Sequence, residues 1–323
     1  LNCSIHLYNK IRMASLLATP PALEKFRQRI SWNNLPVASI LKHLVICIEE
    51  DLGEIPESNL LERDITTRAA GIKNTGTARI VVREPTVICG LKLIPVIAEA
   101  FGTEKVKLHT HHMDGDLVEG NQVVAELTGP ENEILLLERC VLNFLQRLSG
   151  IATKTFSFVQ KLENYNVGLL DTRKTTPGLR NLEKYATACG GSYNHRMGLH
   201  DRILIKDNHL AATGCSSGFK LKSFLAEIVK TKDPKMIVEV EIDKLEQFLP
   251  ALESGVDAIL LDNFSPKEIN EVVQKNEGRV VLEASGGIAE STLTDYAEAK
   301  PHFISTGAPI HSSRWVDIGL DWN

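Results

Sequence analysis

The sequence predicts an α/β protein in two parts: an antiparallel sheet with helices on one face, then parallel strands alternating with helices. Between Thr77 and Leu127 the chain alternates or runs in β-branched residues, with turn signals at Asp114-Gly115 and Gly129-Pro130. From Val167 onward six short apolar segments recur with helical patterns between successive ones, the signature of parallel strands. Polar residues follow all six segments, as they do at the mouth of a (β/α) barrel.

The elements follow in order. Leu1 to Ala22 carries Lys10 and Arg12 but no acidic residue before Glu24, the texture of a targeting remnant, while Met13 offers an alternative start. Leu35, Ile40, Leu41, Leu44 and Ile48 recur at helical spacing and predict an amphipathic helix over Asn34 to Glu49. Thr77 to Cys89, Lys105 to His112 and Gln122 to Leu127 predict strands. Asp114 to Gly120 is similar to the turn of a biotinyl or lipoyl carrier domain, but no attachment lysine follows, so it reads as a plain β-turn. His109, His111 and His112 read as strand residues showing a face to solvent rather than as a metal site. A long helix is expected from Glu138 to about Lys161.

The six apolar segments are Val167 to Leu170, Ile203 to Ile205, Ile237 to Val240, Ala258 to Leu261, Val280 to Leu282 and Phe303 to Ser305. Helical patterns at Leu221 to Val229, Leu245 to Leu252 and Ile269 to Val273 separate some of them, and another helix is expected near Ser291.

Composition limits the function classes. The 323 residues carry 36 Lys+Arg against 41 Asp+Glu, a net charge of −5, with 43% hydrophobic and 24% charged residues. Disorder and collagen are excluded, and no apolar run approaches the roughly 18 residues that cross a bilayer. Basic residues form a local group rather than an extended stripe, which argues against nucleic acid. The six cysteines lie far apart without a CxxC pair, so buried free thiols in a reducing compartment are expected.

The segment ends name the ligand chemistry. Arg173, Lys174 and Lys206, with Arg196 in the Asn194-His195-Arg196 loop, form a basic group in an acidic chain. Several arginine forks together with lysine point charges suit a ligand with more than one anionic group. Glu241 and Asp262 are two opposing carboxylates able to hold Mg²⁺ or to stabilise a developing positive charge. Ser285-Gly286-Gly287 and Gly307, the latter followed by His311 and Ser312, are glycine turns whose N–H groups can approach a phosphate.

Ordered motifs then resemble the quinolinate phosphoribosyltransferase family. They are Glu138-Arg139, Leu142 to Thr153, Thr172 to Gly178, Asn194-His195-Arg196, Lys206 to His209, Glu239-Val240-Glu241, Leu261-Asp262-Asn263 and Glu283 to Gly286, with coverage from about Leu35 to His311. The resemblance implies an N-terminal open-faced α/β sandwich packed on an incomplete α/β barrel. With residues 1–22 set aside as a targeting remnant or mis-set start, the expected division is a dimer-forming sandwich over 23–145, a barrel with the active site over 146–311, and a tail over 312–323 whose Trp315 and Trp322 pack it on the sandwich. A homodimer or dimer-based hexamer in the cytoplasm follows, or an organelle if the first residues are a targeting remnant.

Carried over by motif, Arg139 comes from the neighbouring subunit and joins Arg173, His195, Arg196 and Lys206 on the two carboxylates of quinolinate. Lys174 lies where quinolinate meets phosphoribosyl pyrophosphate. Glu241 and Asp262 hold Mg²⁺ and face the ribose, while Ser285, Gly286, Gly307 and His311 take the 5′-phosphate. The implied products are nicotinate mononucleotide, pyrophosphate and CO₂. Two departures stand out: Glu50 to Gly53 is separated from Asp64 by an insert containing Pro56 and Glu57, and Pro309 replaces a more usual Leu. The competing readings are a barrel lyase with Lys206 or Lys174 as Schiff base, the molybdenum-transport-associated relatives, and a non-catalytic sensor.

Overall fold

A computed structural model describes residues 19–54 and 60–322. The expectation for the first residues therefore lies outside the described residues up to residue 18, as does the insert over 55–59. Twelve strands are described: β1 Thr75–Val82, β2 Thr86–Val87, β3 Lys107–Thr110, β4 Leu117–Val118, β5 Gln122–Pro130, β6 Gly168–Leu170, β7 Ile203–Ile205, β8 Val238–Ile242, β9 Ala258–Asp262, β10 Val281–Ser285, β11 Phe303–Ser305 and β12 Ile318–Trp322. They belong to two compact units that interleave along the chain. Among the described residues no helix is long and apolar enough to cross a membrane.

One unit comprises Arg29–Val159, Lys174–Ser192 and Pro309–Asn323. Its antiparallel sheet runs β12-β1-β5-β3, and β2 pairs with β4. Strand periodicity sets the faces: Ala78, Ile80 and Val82 are buried, while Arg79 between them meets Glu126 across the strands at 3.3 Å. The helix Val37–Leu52 starts after Pro36 and ends at Gly53, whose φ of +76° suits glycine. It buries Ile40, Leu44 and Ile48, one residue per turn, in the same core as the sheet. The helix Glu131–Leu162 begins directly where β5 ends and contributes Leu137, Val141, Leu145 and Leu148 to that core.

The Gly129-Pro130 turn expectation is corrected here. Both residues end β5, opposite Gly76 and Thr75, and the chain passes from strand to helix without a turn. Proline is tolerated at the strand's last position, and a Cβ on Gly129 would lie 3.0 Å from the Val106 backbone. Asp114-Gly115 is a turn, with Gly115 at φ +101°. Asp114 is more than a turn former: it accepts the N–H groups of Gly90 and Leu91 and the Tyr185 hydroxyl at 2.8–2.9 Å.

The second unit comprises 19–28, Gln160–Arg173 and Tyr193–Ala308. Its parallel sheet has the order β6-β11-β10-β9-β8-β7: β7 to β11 lie side by side in sequence order, β6 pairs with β11, and β6 and β7 are its two edges, which is an incomplete barrel. The short helix Leu23–Phe26 belongs to this unit. Phe26 is fully buried, stacks on Phe303 at 5.7 Å and carries the Arg202 guanidinium 3.8 Å from its ring. All six strands expected from the sequence are present; the helix expected near Ser291 is Leu293–Glu298.

Candidate active site

Parallel pairing stacks the polar residues of the barrel in levels. Glu241 on β8 lies opposite Leu260 on β9, and Asp262 follows two residues further along β9, so both carboxylates share a face. On β10, Glu283 lies opposite Leu260 and Ser285 opposite Asp262. Glu239 lies opposite Ala258 and Leu204, and Lys206 follows Leu204 by two. One face of the sheet therefore carries Lys206, Glu239, Glu241, Asp262, Glu283 and Ser285.

Their partners divide them into a lower and an upper layer. At the upper layer the Lys206 ammonium meets Glu241 Oε2 at 2.8 Å, and Asp262 Oδ2 accepts the Asn263 amide at 2.8 Å. Below, Arg202 binds Glu239 at 3.1 Å, and His195 Nε2 lies 3.6 Å from both Glu239 and Glu283. His195 Nδ1 accepts the Arg196 N–H at 2.8 Å, which assigns the imidazole proton to Nε2. Asp171 fixes this loop, accepting the His195 N–H at 2.8 Å and the Asn194 amide at 2.7 Å. Burial, then the charge of Glu239, pushes the Glu283 carboxyl well above the ordinary range.

Arg196 is buried and donates Nη1 to the Arg202 carbonyl at 3.0 Å, but its buried Nε has no hydrogen-bond partner. Burial, and next the charge of Arg173, lowers its pKa from the ordinary value. The charge of Glu239 acts in the opposite direction on Arg196.

Beyond β10 and β11 the glycine turns are joined. Gly286 has φ +97°, and a Cβ there would lie 2.3 Å from Asn263 Oδ1 and 2.7 Å from the Asn263 nitrogen. Asn263, at φ +59°, donates its N–H to the Ser285 carbonyl at 2.9 Å. Thr306 donates to the Ile288 carbonyl at 2.8 Å, linking the turn after β10 to Gly307. Pro309 sits in the first turn of the helix Ala308–His311, where its missing N–H disrupts no helical bond.

Nine of the twelve residues singled out from the sequence fall in the barrel unit: Arg173, His195, Arg196, Lys206, Glu241, Asp262, Ser285, Gly286 and Gly307. Arg139, Lys174 and His311 fall in the other unit, where all three are exposed. Glu283 is corrected: it is not at a strand end but inside β10, fully buried and two residues below Ser285. Sequence reasoning gave no role to Glu239, Glu283, Asp171 or Arg202. The spacing of two from Glu241 and from Ser285 was the available signal for the two glutamates.

Other expectations resolve here too. His109 and His111 pack ring against ring at 4.8 Å on the exposed edge beside Glu126, and the described metal-capable cluster is instead His195, Glu239 and Glu283. The cysteines at 47, 89, 140, 189 and 215 are free, but only Cys89 and Cys140 are buried, which corrects the expectation of buried thiols. Lys206 is ion-paired with Glu241 at 2.8 Å, so the Schiff-base reading gains nothing at that position.

Fold and site together define an α/β-barrel protein whose parallel sheet carries Lys206, Glu241 and Asp262 on one face, with glycine turns beyond β10 and β11. A family model for the quinolinate phosphoribosyl transferase N-terminal domain matches residues 64–149, and one for the C-terminal domain matches residues 151–321. The chain is 37% identical over 294 residues to a probable nicotinate-nucleotide pyrophosphorylase (carboxylating) of Bacillus subtilis, covering 90% of this chain and 94% of that one. It is 39% identical over 265 residues to the Mycobacterium leprae enzyme of that name, covering 80% and 90%. The solved nicotinate-nucleotide pyrophosphorylase of Francisella tularensis superposes with a TM-score of 0.81 at 33% identity, covering 90% and 98%. The chain belongs to the quinolinate phosphoribosyltransferase family.

Proposed function

We propose that this protein transfers the phosphoribosyl group of phosphoribosyl pyrophosphate to quinolinate, releasing pyrophosphate and CO₂ and leaving nicotinate mononucleotide. The observation that carries this reading is the buried Arg196, short of a partner and repelled by Arg173, which calls for a carboxylate ligand. Arg173, Arg196 and Lys206 bind and orient the two carboxylates, and His195 is held beneath them by Glu239 and Glu283. By motif, Arg139 from a second copy adds to this set in a homodimer or dimer-based hexamer, and Lys174 lies between the two substrates. The free cysteines among the described residues suit a reducing, cytoplasmic setting.

The 5′-phosphate is taken by the N–H groups of Ser285, Gly286 and Gly307, with His311 supplying a further donor. As the C1–O bond to pyrophosphate breaks, the ribose acquires oxocarbenium character, and Glu241 and Asp262 stabilise it electrostatically. The pyridine nitrogen then attacks C1; loss of the 2-carboxylate as CO₂ leaves its electron pair on ring C2, stabilised by the adjacent positive nitrogen, and C2 takes up a proton from solvent. The same face suits Mg²⁺, because Glu241 and Asp262 offer hard oxygen donors on adjacent strands and Mg²⁺ is held by one or two carboxylates plus substrate phosphates. When bound, Mg²⁺ supplies charge neutralisation on the leaving pyrophosphate.

The test is CO₂ release from carboxyl-labelled quinolinate with phosphoribosyl pyrophosphate and Mg²⁺. Release that depends on the donor, and that falls by about 10²-fold or more in Arg196→Ala and Arg173→Ala, is the expected outcome. Absence of release from folded wild-type protein would sink the reading.

A further inference from the structure

The loop carrying Lys174 and the segment carrying His311 are joined through one ion pair, that of the half-buried Arg147 with the buried Glu183. Glu183 has no solvent exposure, although it lies in the first turn of the helix Arg180–Cys189. Its carboxylate accepts the Thr176 N–H at 2.8 Å, the Thr176 hydroxyl at 2.8 Å and Arg147 Nη2 at 2.9 Å. Arg147 reaches the other way, donating Nη2 to the Ile310 carbonyl at 3.1 Å and Nη1 to Ser313 Oγ at 2.8 Å. Ser313 closes the set by donating to Ile310 at 2.9 Å. Thr176 is two residues from Lys174, and Ile310 and Ser313 flank His311.

We propose that Arg147 and Glu183 are positioning residues that hold the loop of Lys174 and the segment of His311 as one rigid body. The inference rests on the proposed reaction for what Lys174 and His311 do, but the clamp itself stands on the contacts. Every bond in it but the one from Ser313 to Ile310 is charge-assisted, and both residues of the pair are needed: a neutral residue at 183 leaves a guanidinium uncompensated. Arg147 and Thr176 also line a cavity of about 330 Å³ with Asn143, Phe144, Leu179 and Trp315. The clamp therefore stands in the wall of an open space, where an ordinary core ion pair would have no reason to fix exposed loops.

The experiment compares wild type with Glu183→Gln, Thr176→Val, the double variant, and Arg147→Lys against Arg147→Ala. Turnover and amide hydrogen exchange over 174–178 and 309–313 are read on the full chain. Displacing a reacting group by about 1 Å costs on the order of 10²-fold, so Glu183→Gln is expected to lower kcat by about 10- to 100-fold, with KM for quinolinate changed less than about threefold. Exchange in both segments rises at least about tenfold, because their anchoring bonds are lost. Thr176→Val shows a smaller loss of the same kind, the double variant is no worse than Glu183→Gln alone, and Arg147→Lys retains more activity than Arg147→Ala. Unchanged kcat in a folded Glu183→Gln, or additive losses in the double variant, overturns the inference. If Glu183→Gln does not fold, Thr176→Val alone decides, with unchanged exchange and kcat counting against the clamp. If wild type releases no CO₂, the reaction reading fails separately, and exchange alone then upholds or overturns the clamp.

Discussion

Gly286 shows how one residue type can be dictated twice. Its φ of +97° lies where L side chains are strained, and the Cβ position is already taken by Asn263, whose Oδ1 would be 2.3 Å away. Asn263 cannot retreat easily, since its N–H is bound to the Ser285 carbonyl at 2.9 Å. Gly286→Ala is expected to destabilise the protein by about 1–3 kcal/mol and to raise KM for the phosphoribosyl donor, both read from one purified variant by urea denaturation and steady-state kinetics. The neighbouring Gly287, also at positive φ but with no atom within 4 Å of its Cβ position, should lose less on the same substitution. The glycine pair was visible in the sequence; which of the two is sterically required was not, because the clash comes from a residue more than twenty positions earlier. Arg196 tells the same story from the other side, since its basic character was legible while its burial and the missing Nε partner depend on the fold.

Among the elements, periodicity was a good guide wherever one face of a helix or strand is buried. The residues at 40, 44 and 48 of the helix Val37–Leu52 are at most 4% exposed, whereas Ile46 on the opposite face is 57% exposed. Leu44→Ala is expected to lower unfolding free energy by about 2–5 kcal/mol, while Ile46→Ala stays within about 0.5 kcal/mol, both measured as midpoint shifts in denaturant at constant m. A loss at Ile46 comparable to that at Leu44 would mean its face is covered in solution. Periodicity failed at Gly129-Pro130, because a turn dipeptide and a strand terminus in close backbone contact use the same residues for different reasons. It was also silent on the clamp, since Arg147 and Glu183 each read locally as an ordinary helical charge and are joined only by tertiary contact.

At the scale of the whole molecule the sequence revealed both sheets but not how the chain shares its segments between them. Residues 19–28 join the parallel barrel through Phe26 and Phe303, while β12 returns to pair with β1, Ala78 opposite Trp322. No local pattern encodes such partners; they follow from which apolar face and which strand edge would otherwise remain uncovered. The segment 19–28 also sets part of the molecule's pH response. His302 is half-buried in the barrel unit, its Nδ1 accepts the Leu282 N–H at 3.0 Å, and burial followed by the charge of Arg27 lowers its pKa from 6.5 to about 4. The unfolded chain therefore takes up a proton near pH 6.5 that the folded chain refuses until about pH 4. With more protons bound in the unfolded state, stability contributed by this group is full above pH 6.5 and is lost as pH falls toward about 4, by about 3 kcal/mol in all. Urea titrations at several pH values across that window should show the slope, and His302→Asn, which retains an acceptor for Leu282 without a titrating ring, should flatten it. An equal slope in the variant would assign the acid sensitivity to other groups, whereas Arg27→Gln should narrow the window from its lower end by letting the His302 pKa rise.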